Sequence, residues 1–330
     1  MRGTLERFCG DDALWPSVAA TFQDALARCL ESIPRGRVAT CGAVGRALGD
    51  VRAARAVWSF VRDHPEMPGV HRIVRADGGP VSRDAADRLR GDGVALTGGR
   101  VPASRFLEPL EPDGYLLSLR AGQRRLSERV INRDDFAGPD VVGGVDAAYL
   151  DEVAYVAGTT FDRRLDPIQV VGTSVAVDFP YIPTYLAFRE LPAIEAAVKR
   201  LEPRPDVLLI DGHGRLHPER FGIACHAGVV LDIPTIGVAK RPLAGRVRPG
   251  GRRHSASLVE IDGVAEGYAW TPPGCSRSLF VSAGHRVGLE TALDLVQRTT
   301  KRGMPEPLRT ADAHARKRKN EEKRERGSHI

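Results

Sequence analysis

The segment Val207-Leu208-Leu209-Ile210-Asp211-Gly212-His213-Gly214 reads as a buried β-strand that ends on a carboxylate and two glycines. Such a strand delivers a negative charge to a fixed point at a sheet edge. The glycines allow a tight turn and leave room for a ligand. A second apolar strand, Val141-Val142-Gly143-Gly144-Val145-Asp146, ends the same way. Each acid alone can serve as a cap or a surface ion pair. Two unpaired carboxylates on apolar strands are costly to bury, and they repel one another unless a divalent cation neutralises them. In a basic protein the pairing suggests Mg²⁺ chemistry on a phosphodiester.

Outward from these strands, residues 141–149, 152–160, 169–177, 206–211 and 234–238 read as strands, and 185–201, 219–231 and 288–302 as helices. This mixed α/β order predicts a sheet flanked by helices. Glu190 lies on the helix that follows Pro180-Tyr181-Ile182-Pro183, from where it can converge on the two aspartates. The Pro-Tyr-Ile-Pro segment itself reads as a hydrophobic staple or as a stiffened loop that presents side chains. His213, His217 and His226 lack a companion ligand set for zinc. Cys225 and His226, adjacent on a helix, point apart.

Upstream, Val18, Phe22, Ala25, Leu26, Cys29 and Leu30 recur at helical spacing over residues 16–33. A short helix from Cys41 to Leu48 stops at Gly49-Asp50, and a second runs from Arg52 to Arg62, a helix-turn-helix pattern. Arg52, Arg55 and Arg62 share one stripe, which is either a solvated face or a face for a DNA groove. Residues 108–114, acidic and proline-rich, read as the linker between two domains. The sequence has 330 residues, is 42% hydrophobic and carries a formal net charge of +6. That balance favours an anionic partner. No run reaches the ~18 apolar residues of a membrane span, and the five scattered cysteines suggest no disulfide framework. The expected setting is cytoplasmic, associated with the nucleoid, with no membrane partner and a monomeric chain.

Residues 143–149 (GGVDAAY), 180–190 (PYIPTYLAFRE), 211–240 (DGHGRLHPERFGIACHAGVVLDIPTIGVAK) and 281–293 (VSAGHRVGLETAL) resemble endonuclease V, the deoxyinosine-directed repair nucleases. The resemblance covers residues 115–312. It implies an RNase H-like mixed sheet and Mg²⁺-dependent incision, with Mn²⁺ as a substitute, at the second phosphodiester 3′ to a deaminated purine. By motif, Asp146 and Asp211 are implied as central metal ligands and Glu190 as the third acid of the metal cluster. His285 would orient or deprotonate the attacking water, or assist a second metal. Lys240 would hold the phosphate, and His217 would contact the DNA backbone. Pro180, Tyr181, Ile182 and Pro183 would form a strand-separating wedge. Thr184 departs from the small or glycine residue that is commoner there.

Residues 33–49, 52–65, 68–78 and 88–106 resemble the DNA-binding domain of the O6-alkylguanine-DNA alkyltransferases, over residues 14–107 in all. The family's Pro-Cys-His-Arg loop reads Gly69-Val70-His71-Arg72 here, so the acceptor cysteine is absent and alkyl transfer is excluded. Cysteine-less alkyltransferase-like relatives bind alkylated guanine without repairing it, but usually carry tryptophan where Val70 stands. Arg55 matches the arginine that replaces an extruded base. Cys41 and His64 stand where the family has a tyrosine and an asparagine. Arg52, Arg55, Val70, His71 and Arg72 are therefore implied DNA contacts, with a winged helix-turn-helix-like fold. The tail, residues 313–330, is expected to be disordered and to add salt-sensitive phosphate attraction; Gly327-Ser328-His329-Ile330 ends it. The combined expectation is a repair endonuclease fused to a lesion-binding domain, the alternatives being an inosine-directed ribonuclease and a non-catalytic sensor.

Overall fold

The computed structural model describes residues 21–253 and 256–327, with 249–253 as backbone only. Val18, the domain start at residue 14 and the last three residues of the tail lie outside this range. The chain forms two compact units.

Among the described residues the smaller unit spans 21–122 and adds 178–183. Its elements are α1 (Phe22–Glu31), β1 (Ala39–Thr40), α2 (Cys41–Leu48), α3 (Ala54–Asp63), β2 (Ile73–Val74), α4 (Arg83–Gly91) and the first part of α5 (Tyr115–Ser127). Thr21 and Asp24 close a capping box on α1, and Thr40 caps α2 by accepting from the Ala43 amide at 3.0 Å. Gly49 ends α2 at φ +106°, a conformation that favours glycine. Asp50 caps the single 3₁₀ turn, Val51–Ala53, that leads into α3. The helix-turn-helix follows from these stops.

Residues 108–114 are not a free linker. Asp113 accepts from Arg28 Nε at 2.8 Å, its amide and that of Gly114 donate to the Ala47 carbonyl, and Leu110 is buried. Proline content signals an irregular path, not a detached one.

The larger unit comprises 123–177 and 184 onward. It holds β3 (Val142–Leu150), β4 (Val153–Phe161), β5 (Pro167–Ala176), α6 (Leu186–Val198), β6 (Val207–Asp211), α7 (Ile223–Leu231), β7 (Thr235–Ala239), β8 (Arg246–Arg253), β9 (Ala256–Ile261), β10 (Val264–Trp270), β11 (Leu279–His285), α8 (Leu289–Thr299) and α9 (Glu306–Gly327). The strands form one mixed sheet in the order β5-β4-β3-β6-β7-β11-β10-β9-β8, with β3, β6 and β7 parallel and the rest antiparallel.

The alternation along each central strand sorts the core onto two faces. Val142, Val207, Leu209, Ile236 and Val238 pack with Leu293 and Val296 of α8 and Leu308 of α9. Val145, Leu208 and Ile210 pack on the other side, with Leu191 and Ile194 of α6 and Ile223 of α7.

The tail differs from expectation: it is the helix α9, continuous to Gly327. Beyond Leu308 its buried stripe is made of alanines, Ala311 and Ala315 against Ala148 and Ala157 of β3 and β4. Small residues bring the helix close to the sheet without registering as an apolar face. Gly144 is part of the same fit, since a Cβ there would meet the Pro307 backbone at 2.5 Å. The strands β8 to β11, four of the nine, carry glycines and charges and lie outside the strands that the sequence pattern predicts.

Candidate active site

Asp146 and Asp211 converge because of register. Val145 is level with Ile210 across the parallel β3–β6 pair, so the next residue on each strand is an aspartate. Counting back by twos, Asp146 shares a face with Val142, and Asp211 with Leu209 and Val207; this is the side covered by α8 and α9. Asp211 is level with Val238, and two residues on, Lys240 donates from Nζ to Asp211 Oδ2 at 2.5 Å. On α9, Asp312 completes the array, its charge acting on both Asp146 and Lys240.

The electrostatics record this crowding. Burial, and then the neighbouring Asp211 charge, push the Asp146 carboxyl up to about 8, although the Ala147 amide donates to it at 2.8 Å. Glu190 of α6, on the far side of the sheet, is pushed up to about 7, again by burial first and by Asp211. Beside it lies the buried Tyr149 hydroxyl, and the Arg189 guanidinium sits 4.4 Å above the Tyr149 ring. Burial opposes the charge on Lys240, but Asp211, Asp146 and Asp312 outweigh it and hold the ammonium above the ordinary lysine range.

Two implied residues do not join this centre. His285 is level with Thr235, at the start of β7, whereas Asp211 faces Val238 near its end, so the histidine sits at the opposite edge of the sheet. It is 5% exposed, its Nδ1 accepts from the Ile131 amide at 3.3 Å, and burial lowers its pKa. His217 is 2% exposed, one ring nitrogen 3.0 Å from the Thr184 carbonyl and the other accepting from the Glu219 amide. It braces Thr184, which holds φ +74°, the left-handed conformation that explains why glycine is commoner there. The glycines after Asp211 also serve packing more than ligand room: a Cβ on Gly214 would stand 2.1 Å from the Ala283 carbonyl oxygen.

In the smaller unit, Tyr181 is 59% exposed but Ile182 is fully buried, and Phe179 meets Phe22 edge-on at 6.0 Å. Of the implied wedge, only the tyrosine is presented. His71 and Arg72 are turned inward, since both reach Asp92 Oδ2, at 2.9 and 2.7 Å, and Arg72 also donates to the Ile33 carbonyl. Burial raises the Asp92 carboxyl, yet these two partners prevail and hold it at about 2. They clamp the loop instead of facing DNA. Val70, also buried, lines a cavity of about 80 Å³ with Trp58, Pro65, Ser82 and Arg88. Arg52 is tied to Asp50 at 3.0 Å, whereas Arg55 is exposed and makes no ion pair among the described residues. Burial pushes the Cys41 thiol up to about 11, which removes it as a substitute nucleophile.

The sequence profile of endonuclease V matches residues 124–313. The chain belongs to the endonuclease V family. The endonuclease V of Xanthomonas campestris pv. campestris (strain B100) is 41% identical over 213 residues, 62% of this chain and 90% of that protein. The crystal structure of endonuclease V from Streptomyces avermitilis is 38% identical, with a TM-score of 0.58 over 62% of this chain and 92% of that one. Ciona intestinalis endonuclease V, solved with a DNA containing an inosine followed by a ribo-adenosine, is 28% identical, with a TM-score of 0.57 over 62% of this chain and 98% of that one. A second profile, the DNA-binding domain of 6-O-methylguanine DNA methyltransferase, matches residues 21–92. The chain thus joins an endonuclease V nuclease of RNase H-like, mixed-sheet architecture to an alkyltransferase-like DNA-binding domain.

Within the endonuclease V unit, Asp312 is the residue that sequence reading missed. Its helix looks like a charged tail, and the signal that marks it is the alanine at every fourth position, Ala311 and Ala315, beside it. Among the described residues no three His, Cys, Asp or Glu side chains already form a closed ligand set. The donor chemistry nevertheless fits a hard divalent cation: oxygen ligands only, carried on rigid strands, with the Asp146 charge disfavoured until a cation balances it.

Proposed function

We propose that this chain is a metal-dependent repair endonuclease that incises the second phosphodiester 3′ to a deoxyinosine. The observation that carries the reading is the juxtaposition of Asp146 and Asp211 on neighbouring parallel strands, with Lys240 on Asp211. Asp146 and Asp211 would hold Mg²⁺, with Mn²⁺ as a substitute. A bound Mg²⁺ supplies Lewis-acid polarisation of the phosphate and acidifies the attacking water. Lys240 acts as a point charge on the phosphate. Glu190, whose carboxyl burial and the Asp211 charge push up to about 7, completes the acid cluster from the α6 side. Tyr181 fills the gap that the lesion leaves in the stack.

The smaller unit binds duplex DNA without alkyl transfer, because Val70 offers no nucleophile. Arg55, exposed on α3, occupies the stack that an extruded base vacates. Arg55→Ala is expected to weaken binding to an O6-methylguanine duplex by about tenfold, in line with the ~1–3 kcal/mol of a base-stacking side chain; fluorescence anisotropy against an undamaged duplex measures it.

The function is tested on end-labelled duplexes with one deoxyinosine, one O6-methylguanine or neither, in Mg²⁺. A matching RNA with one inosine is included, because the Ciona intestinalis protein was solved on an inosine followed by a ribo-adenosine. A cut one nucleotide beyond the bond that directly follows deoxyinosine supports the reading. Cutting of the RNA alone replaces it with the ribonuclease alternative, and binding without any cutting with the sensor.

A further inference from the structure

The helix α9 carries Asp312 toward its start and seven cations against three glutamates over residues 316–326. Several of those cations are committed: Arg316 to Asp312 at 2.6 Å, Arg326 to Glu322 at 2.9 Å and to Asp151 at 3.2 Å. Others are not. An open groove of about 230 Å³ runs between β5 and α9, with Val170 and Gly172 on one wall and His314, Lys317, Arg318 and the acid Glu321 on the other. Gly172 makes space for it, since a Cβ there would stand 2.8 Å from Arg318 Cδ. Arg318 and His314 make no ion pair among the described residues, and Lys317 reaches Glu321 only at 4.0 Å.

With Lys317 and Arg318 against the single Glu321, the groove keeps a net positive charge, and such a groove selects an anion. The helix states which kind. Six residues separate Asp312 from Arg318, about 9 Å along the axis at the α-helical rise. A duplex strand advances by about 3.4 Å per nucleotide. With α9 laid along the duplex axis, Arg318 therefore stands some two to three phosphates from a phosphate held beside Asp312.

We propose that the β5–α9 groove is a second phosphodiester subsite, which grips the cleaved strand through Lys317 and Arg318 two to three nucleotides from the cut. One rigid helix then sets the distance between backbone grip and acid centre. This rests on the nuclease reading, and its test separates the two.

Lys317→Ala/Arg318→Ala and Arg318→Lys are made in the full chain. Binding of the metal-free proteins to a deoxyinosine duplex is followed by anisotropy over a salt series, and cleavage by steady-state kinetics in Mg²⁺. The double variant is expected to bind about tenfold more weakly, with a salt dependence shallower by about one to two ions, and its loss falls in KM and not in kcat. Arg318→Lys keeps most of the affinity, since the point charge remains. A single methylphosphonate two to three nucleotides from the cut weakens the parent chain but not the double variant. Unchanged affinity and salt slope in a double variant with the parent's thermal midpoint would overturn the subsite. So would equal sensitivity of both proteins to the methylphosphonate. If the parent chain cuts no inosine-containing nucleic acid, the nuclease reading fails, and the binding series alone decides the groove.

Discussion

Asp146→Asn and Asp211→Asn are each expected to lower cleavage of a deoxyinosine duplex by about 10³-fold or more while leaving duplex affinity within a few fold. The size follows from the several kcal/mol that a cation contributes at the phosphate, at 1.36 kcal/mol per factor of ten. The two variants lose it by different routes. The amide in Asp146→Asn keeps the shape of a half-buried side chain whose charge desolvation already disfavours, so this substitution removes a ligand charge and little else. Asp211→Asn also strips Lys240 of its carboxylate partner at 2.5 Å. In the parent chain that pair fixes the ammonium beside the acids. Asp211→Asn should therefore raise KM as well as lower kcat, and Asp146→Asn chiefly lower kcat. Single-turnover rates at saturating protein, beside equilibrium binding without metal, separate the two effects. Parent-like cleavage by either variant in Mg²⁺ would remove these aspartates from the centre.

Much of this was legible in the sequence, for a physical reason. The strands β3, β6 and β7 are covered on both faces, so their apolar runs stand out, and the acids that end them are conspicuous by contrast. The span and stop of α2 were equally plain, Cys41 to Leu48 followed by Gly49, which the fold holds in the left-handed conformation. What stayed hidden depends on tertiary approach. The helix α9 is held by alanines, Asp134 and Asp135 receive bonds from Gly288 and Arg286 far along the chain, and His71 and Arg72 turn inward only because Asp92 waits there. None of those partners is set by spacing. The same holds for His285: its motif placed it among catalytic residues, and only the antiparallel register of β11 on β7 shows which end of the sheet it occupies.

The acid centre also predicts how stability follows pH. The Asp146 carboxyl stands at about 8 in the fold against an ordinary value of 3.8, and Glu190 at about 7 against 4.5, burial being the first cause in both. In this window the folded chain keeps protons that the unfolded chain has released. The stabilising contribution is therefore complete below the ordinary carboxylate range, and it is lost as pH rises through about 7 and then about 8. The thermal midpoint of the metal-free protein should accordingly fall between pH 5 and pH 8.5, values that bracket those two pKa values. Asp146→Asn, which has no proton to lose, should flatten that slope and make the metal-free variant the more stable protein at the alkaline end. Mg²⁺ must displace the same protons, so its stabilisation of the parent chain should grow with pH and be small in the variant. Differential scanning fluorimetry across pH, with and without Mg²⁺, measures all three. A slope shared by parent and variant would assign the pH dependence to groups other than Asp146. The centre is thus a place where function opposes stability: the carboxylates that must face one another to hold a cation are those whose charges the fold least tolerates without it.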